Sequence, residues 1–133
     1  MFLWTALFSL RVAGQALQAL QPPPWLPAFD AWQGSSLAYA FLLPIQIAIL
    51  AGMLSTSWRA WAGTMVPRRR ARRWLGVLGG LYMAGSVGRL AIGLAARAPA
   101  PWFKAWIPAS FHIVLAAFVL TCAAYHAADG GAE

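Results

Sequence analysis

Residues 67–96 read PRRRARRWLGVLGGLYMAGSVGRLAIGLAA: five arginines in six positions, then 23 residues interrupted by one charge, Arg89. A helix needs about 20 apolar residues to cross the hydrocarbon core of a bilayer, so residues 74–96 have the length of one transmembrane span. A barrel strand would instead alternate apolar and polar residues over about ten positions, and nothing here alternates. The fold this stretch points to is therefore helical and embedded in a membrane.

The same pattern extends in both directions. Towards the N-terminus, the basic segment 57–73 separates residues 74–96 from an apolar run at 37–56, and a further run covers 2–20. Towards the C-terminus a run at 105–127 follows a short segment with Pro99 and Pro101. Pro22, Pro23 and Pro24 end the first run, because none can donate a backbone hydrogen bond and each restricts its predecessor. Pro44 lies within the second run, where a kink is expected. The expectation is one all-α domain over residues 1–133, a four-transmembrane-helix bundle, with the tail 128–133 fraying. The first run lacks a basic start and a small-residue cleavage site, so it is expected to stay in the mature protein.

Composition agrees. The chain is 61% hydrophobic and 10% charged, whereas soluble domains have about 45–50% and about 25%. Too few polar side chains exist to cover a water-facing surface, which excludes a soluble enzyme.

Charge sets the orientation. The net charge is +7, and six of the ten basic residues lie in 57–73: Arg59, Arg68, Arg69, Arg70, Arg72 and Arg73. A basic loop between apolar spans is retained in the cytoplasm, which places both termini there too. The same loop suits anionic lipid headgroups and does not indicate nucleic acid. Of the eight tryptophans, Trp4, Trp58, Trp61 and Trp74 fall at the inner boundary, and Trp25, Trp32, Trp102 and Trp106 at the outer one. Headgroup depth suits an amphipathic indole. The layout is that of a multi-pass protein of a bacterial inner membrane.

Two features suggest what the helices touch. Gly76, Gly80, Ala84 and Gly88 follow one another at i+4, a stripe that allows close helix packing. In the fourth span His112, Ala116, Ala123 and His126 share a face. Both stripes are expected inside the bundle, with contact to other subunits or to a second copy left open.

Ionisable groups within spans are expensive, about 2.5–3.5 kcal/mol for a mid-helix arginine, and so point to function. Arg11 and Arg89 are such groups, and no span contains an aspartate or glutamate. Gln15 and Gln18 share a face with Arg11, Gln46 lies in the second span, and His112 and Arg89 each lie about 10 Å from the outer end of their spans. Arg11, Gln15, Gln46, Arg89 and His112 thus form a candidate ligand site in the outer half. The arginines' partners could be backbone carbonyls, glutamine oxygens, water, Asp30 folding inward, another subunit or an anionic or carbonyl-bearing ligand.

Catalytic and metal constellations do not emerge. His112 and His126 are about 21 Å apart along one helix and cannot share a haem iron. Two distant histidines and the single Cys122 do not make a metal site. Ser110 and His112 point in different directions, and proton-coupled transport lacks its usual carboxylates. No cofactor is specified. Two functions remain: an accessory or scaffold subunit of a larger membrane complex, or a stand-alone protein binding an anionic lipid or quinone-like ligand in the outer-half pocket.

Overall fold

The computed structural model describes residues 1–33, 37–95 and 106–128. Within them the chain is helical and contains no strand. The elements are α1 (Phe2–Leu20), the short α2 (Phe29–Trp32), α3 (Tyr39–Trp61), α4 (Arg69–Ala95) and α5 (Trp106–Ala128). The segment with Pro99, Pro101 and Trp102, the outer ends of the third and fourth expected spans at Ala96 and Ala105, and the tail 129–133 lie outside the described residues.

Helices α3, α4 and α5 are long and apolar enough to cross a membrane. α1 has 19 residues but does not reach the same apolarity. Its polar residues are turned inward: Thr5, Arg11 and Gln15 are buried with Phe8 and Val12, while Leu3, Leu10, Leu17 and Leu20 face out. This inverts the soluble pattern.

Packing follows from which helices touch. α4 lies along α5, and α1 packs against both α3 and α5, giving the lateral order α3, α1, α5, α4. α3 and α4 make no substantial contact. Phe8 and Val12 of α1, Met53 of α3, and Phe118 and Cys122 of α5 form the apolar core.

The turn after α3 is built by Gly63. Its φ of +66° is one that side chains with a Cβ rarely adopt. With Gly63 left-handed, its N–H bonds the carbonyl of Ala60 and the N–H of Thr64 bonds that of Arg59, the paired closure of a Schellman cap. Both helices flanking this turn are longer than the apolar runs suggest. α3 continues five residues past Thr56, and α4 begins at Arg69 rather than Trp74. The basic segment expected as a loop over 57–73 is thus mostly helix, since arginine is a good helix former and hydropathy does not mark where hydrogen bonding stops. α3 also remains helical through Pro44.

The α4 stripe does not face the interior. Gly76, Gly80 and Gly88 have no atom within 4 Å of where a Cβ would stand. The buried glycine is Gly79, whose Cβ position lies 3.0–3.1 Å from Leu120 and Val119 of α5. Buried Ser86 continues that face. The i+4 spacing marks a face but not its direction, and here the stripe lies on the side away from α5. In α5, by contrast, Ala116, Ala123 and His126 are buried.

Candidate functional site

Because α3 and α4 stand apart, a cavity of about 260 Å³ opens between them, lined by all four long helices. α1 contributes Phe8 and Arg11, α3 contributes Leu42, Ile45, Gln46 and Ile49, and α4 contributes Tyr82. α5 supplies Pro108, Phe111, His112 and Leu115. A second cavity, also about 260 Å³, lies between α4 and α5 and includes Ser86, Arg89, Tyr82 and His112 in its wall. Tyr82 and His112 are common to both cavities. The Tyr82 hydroxyl is hydrogen-bonded to His112 Nδ1 at 2.5 Å, with the rings edge to face.

Of the five residues singled out from sequence, Arg11, Gln46 and His112 meet at the first cavity. Gln15 stands behind Gln46, fully buried, and accepts a hydrogen bond from Gln46 Nε2 at 3.1 Å. Arg89 lies in the second cavity, on the other side of the Tyr82–His112 pair. Both arginines are close enough to act electrostatically on His112.

Arg11 is 8% exposed and engaged on two sides. Its guanidinium donates to the backbone carbonyl of Trp32 at 3.4 Å and sits 5.7 Å from the centre of the Phe111 ring, within the range of a cation–π contact. Asp30 remains exposed on α2. A carbonyl at the end of α2 thus takes the place of a carboxylate. The Trp32 indole donates to Pro27 at 3.0 Å and covers Gly14, where a Cβ would come within 2.8 Å of the ring. Trp32 is therefore buried against α1, about 9 Å along the axis from the end of that helix. Hydropathy does not show which indoles of a connector pack against a helix.

The amide pair is incompletely satisfied. Gln15 Nε2 and Gln46 Oε1 are buried without a hydrogen-bond partner in the protein, and so are Gln18 Oε1 and the Tyr39 hydroxyl. Tyr82 is not among the residues singled out from the sequence. Its i+7 spacing to Arg89 was the available signal. Phe111 and Phe8 carried none, because aromatic residues in an apolar run are unremarkable, and Trp32, in the connector, read only as a boundary tryptophan. Among the described residues no cluster of histidine, cysteine and carboxylate side chains could hold a metal ion.

No protein-family model, curated protein or solved structure matches this chain.

Proposed function

We propose that this is a four-span membrane protein that holds the polar head of a membrane-dissolved amphiphile, an anionic lipid or a quinone-like molecule, in the cavity between α3 and α4. The carrying observation is the convergence of Arg11, Gln46 and His112 from three helices on one cavity whose remaining walls are apolar and aromatic. Ligand sites have this composition: mostly apolar, with a few convergent polar groups.

α1 serves as the fourth span. It runs between α3 and α5 over the whole interval from the Trp4–Thr121 bond to the Gln15–Gln46 bond, about 16 Å of helix. Both termini and the 62–68 turn then lie on the cytoplasmic side of a bacterial inner membrane. The arginines on the first turns of α4 stand where the helix dipole disfavours positive charge, and anionic headgroups would relieve that.

A second reading is favoured by the open face of Gly76, Gly80, Ala84 and Gly88. On that reading the protein is an accessory or scaffold subunit, and the stripe receives a helix of another membrane subunit or of a second copy.

Native mass spectrometry of the full chain, extracted from its own membranes in mild detergent, separates the two. A retained small molecule, lost in Arg11→Leu at unchanged expression, supports the cavity reading. Stoichiometric co-purifying polypeptides without a small mass would replace it with the subunit reading. A reporter fused after Glu133 checks the topology, and activity on the outer face would overturn the orientation.

A further inference from the structure

The first turns of α4 carry an open hollow of about 590 Å³, lined by Arg69, Arg70, Arg73, Trp74 and Val77. All five residues are exposed, and none of the three guanidinia has a hydrogen-bond or ion-pair partner among the described residues. The one carboxylate among those residues, Asp30, is on α2 at the opposite end of the bundle. We infer that the hollow is a discrete site for one anionic phospholipid. Its phosphate is held by Arg69, Arg70 and Arg73, and an acyl chain runs down the outer face of α4 over Gly80 and Ala84. The inference rests on α4 being a membrane span and not on the cavity between α3 and α4. It assigns the near half of the small-residue stripe to lipid and not to another helix.

Rotation about the helix axis puts these parts in line. At about 100° per residue, Arg69, Arg73, Val77, Gly80 and Ala84 fall within an arc of about 80°, with Arg70 and Trp74 beside it. Buried Gly79 and Ser86 lie outside that arc, on the α5 side. Depth agrees as well. Trp74 is 61% exposed, and an exposed indole at a span end belongs among the headgroups. Gly80 and Ala84 are then about 9 Å and about 15 Å further along the axis. One leaflet contributes roughly 15 Å of a hydrocarbon core of about 30 Å, so both positions lie beside the chains of the leaflet whose headgroups meet the arginines. Gly88, about 21 Å from Trp74, belongs to the other leaflet.

The chemistry fits a phosphodiester. A guanidinium presents paired N–H donors in a planar fork that matches two phosphate oxygens. Arg69 and Arg73 are one turn apart and reach the same group. Below them, Gly80 has no atom within 4 Å of where a Cβ would stand, which leaves a shallow channel for a chain. A partner helix in that channel would bring its own end against three guanidinia and desolvate them, a penalty unless it carried carboxylates there.

The test titrates the full chain in mild detergent with phosphatidylglycerol, and separately with phosphatidylcholine of the same acyl chains, counting bound lipids by native mass spectrometry. A micelle has no inner or outer side, so the result is independent of the orientation of the protein. The first phosphatidylglycerol should bind roughly tenfold more tightly than the first phosphatidylcholine. Arg69→Gln with Arg73→Gln should remove that preference. Arg68→Gln with Arg72→Gln, an equal loss of charge outside the hollow, should change it by less than about twofold. Gly80→Leu, which fills the channel and keeps the arginines, should weaken phosphatidylglycerol by about threefold. Arg11→Leu should leave this lipid bound. The melting temperature of each variant reports that it is folded. Equal weakening by the two arginine pairs would reduce the hollow to a generally basic surface and overturn the inference. Equal binding of the two lipids, or binding untouched by Gly80→Leu, would overturn it too. Retention lost in Arg11→Leu alone would place the lipid between α3 and α4, against this site and in favour of the cavity reading. A co-purifying polypeptide released by Arg69→Gln with Arg73→Gln would replace the lipid with an acidic protein partner.

Discussion

The two ends of the bundle treat their buried polar groups differently. At the end carrying the 62–68 turn, the groups are paired one to one across helices. Thr5 and Ser57 share a bond of 3.1 Å, Trp4 donates to Thr121 at 3.0 Å, and Tyr125 donates to the Met65 carbonyl at 3.2 Å. Thr121 in turn donates to the Ala117 carbonyl in its own helix. Only His126 Nδ1 is unpartnered there among the described residues. At the opposite end the bonds are fewer than the groups: Gln15, Gln18, Gln46 and Tyr39 each keep a buried atom unused.

An unused buried polar atom destabilises a fold by about 1–3 kcal/mol, and local rules of this kind are broken mainly at functional sites. The contrast is the one the cavity reading proposed above would produce. The paired end locks α1 to α3 and α5. The unpaired end keeps hydrogen-bonding capacity next to a cavity.

Five mutational experiments would break or sharpen this contrast. The largest effect is expected from Gly14→Leu, which drives a side chain into Trp32 and dislodges the carbonyl that holds Arg11. Overpacking of this kind should lower stability by about 2–3 kcal/mol in denaturant unfolding from bicelles, with loss of any cavity ligand. Next, Thr5→Val should destabilise by about 1–2 kcal/mol, because it strands buried Ser57. A double-mutant cycle with Ser57→Ala should give a coupling of roughly 0.6 kcal/mol, the average for bonds between membrane helices. A coupling of zero would remove the distinction between the ends.

The opposite sign is expected at the cavity. Gln15→Leu with Gln46→Leu replaces both partners by apolar groups of similar size and should be neutral or stabilising by up to about 1 kcal/mol. A large destabilisation would make that pair structural after all. Gly63→Ala should destabilise by about 1 kcal/mol through the left-handed cap alone, as no neighbour crowds the position. Gly80→Leu should have the smallest effect on the isolated chain, within about 0.5 kcal/mol, since its Cβ meets open space. Changed migration of complexes on a native gel would show that the stripe is an interface.

Much of the architecture was legible because bilayer physics is written in composition. Runs of about 20 apolar residues, ended by prolines and arginines, leave little choice but membrane helices. Arg11, Gln46 and His112 could be singled out because polar residues are rare in such runs. What spacing could not reveal was rotation about each helix axis. Gly76 and Gly79 differ by three positions, yet one faces open space and the other faces Leu120. Nor could it reveal that a four-residue helix in a proline-rich connector supplies the arginine's partner, since that contact joins residues 21 positions apart.

The sequence by itself determined the helical class, the four apolar runs, of which three form helices long and apolar enough to span, and the identity of the polar groups placed among them, because each follows from the hydrophobicity of residues near one another along the chain. Only the tertiary structure decided the lateral order α3, α1, α5, α4, the outward face of the glycine stripe and the cavity that this order leaves open. Those depend on how side chains from distant segments interlock, and the free energies that choose among such arrangements are small differences between packings of nearly equal apolarity.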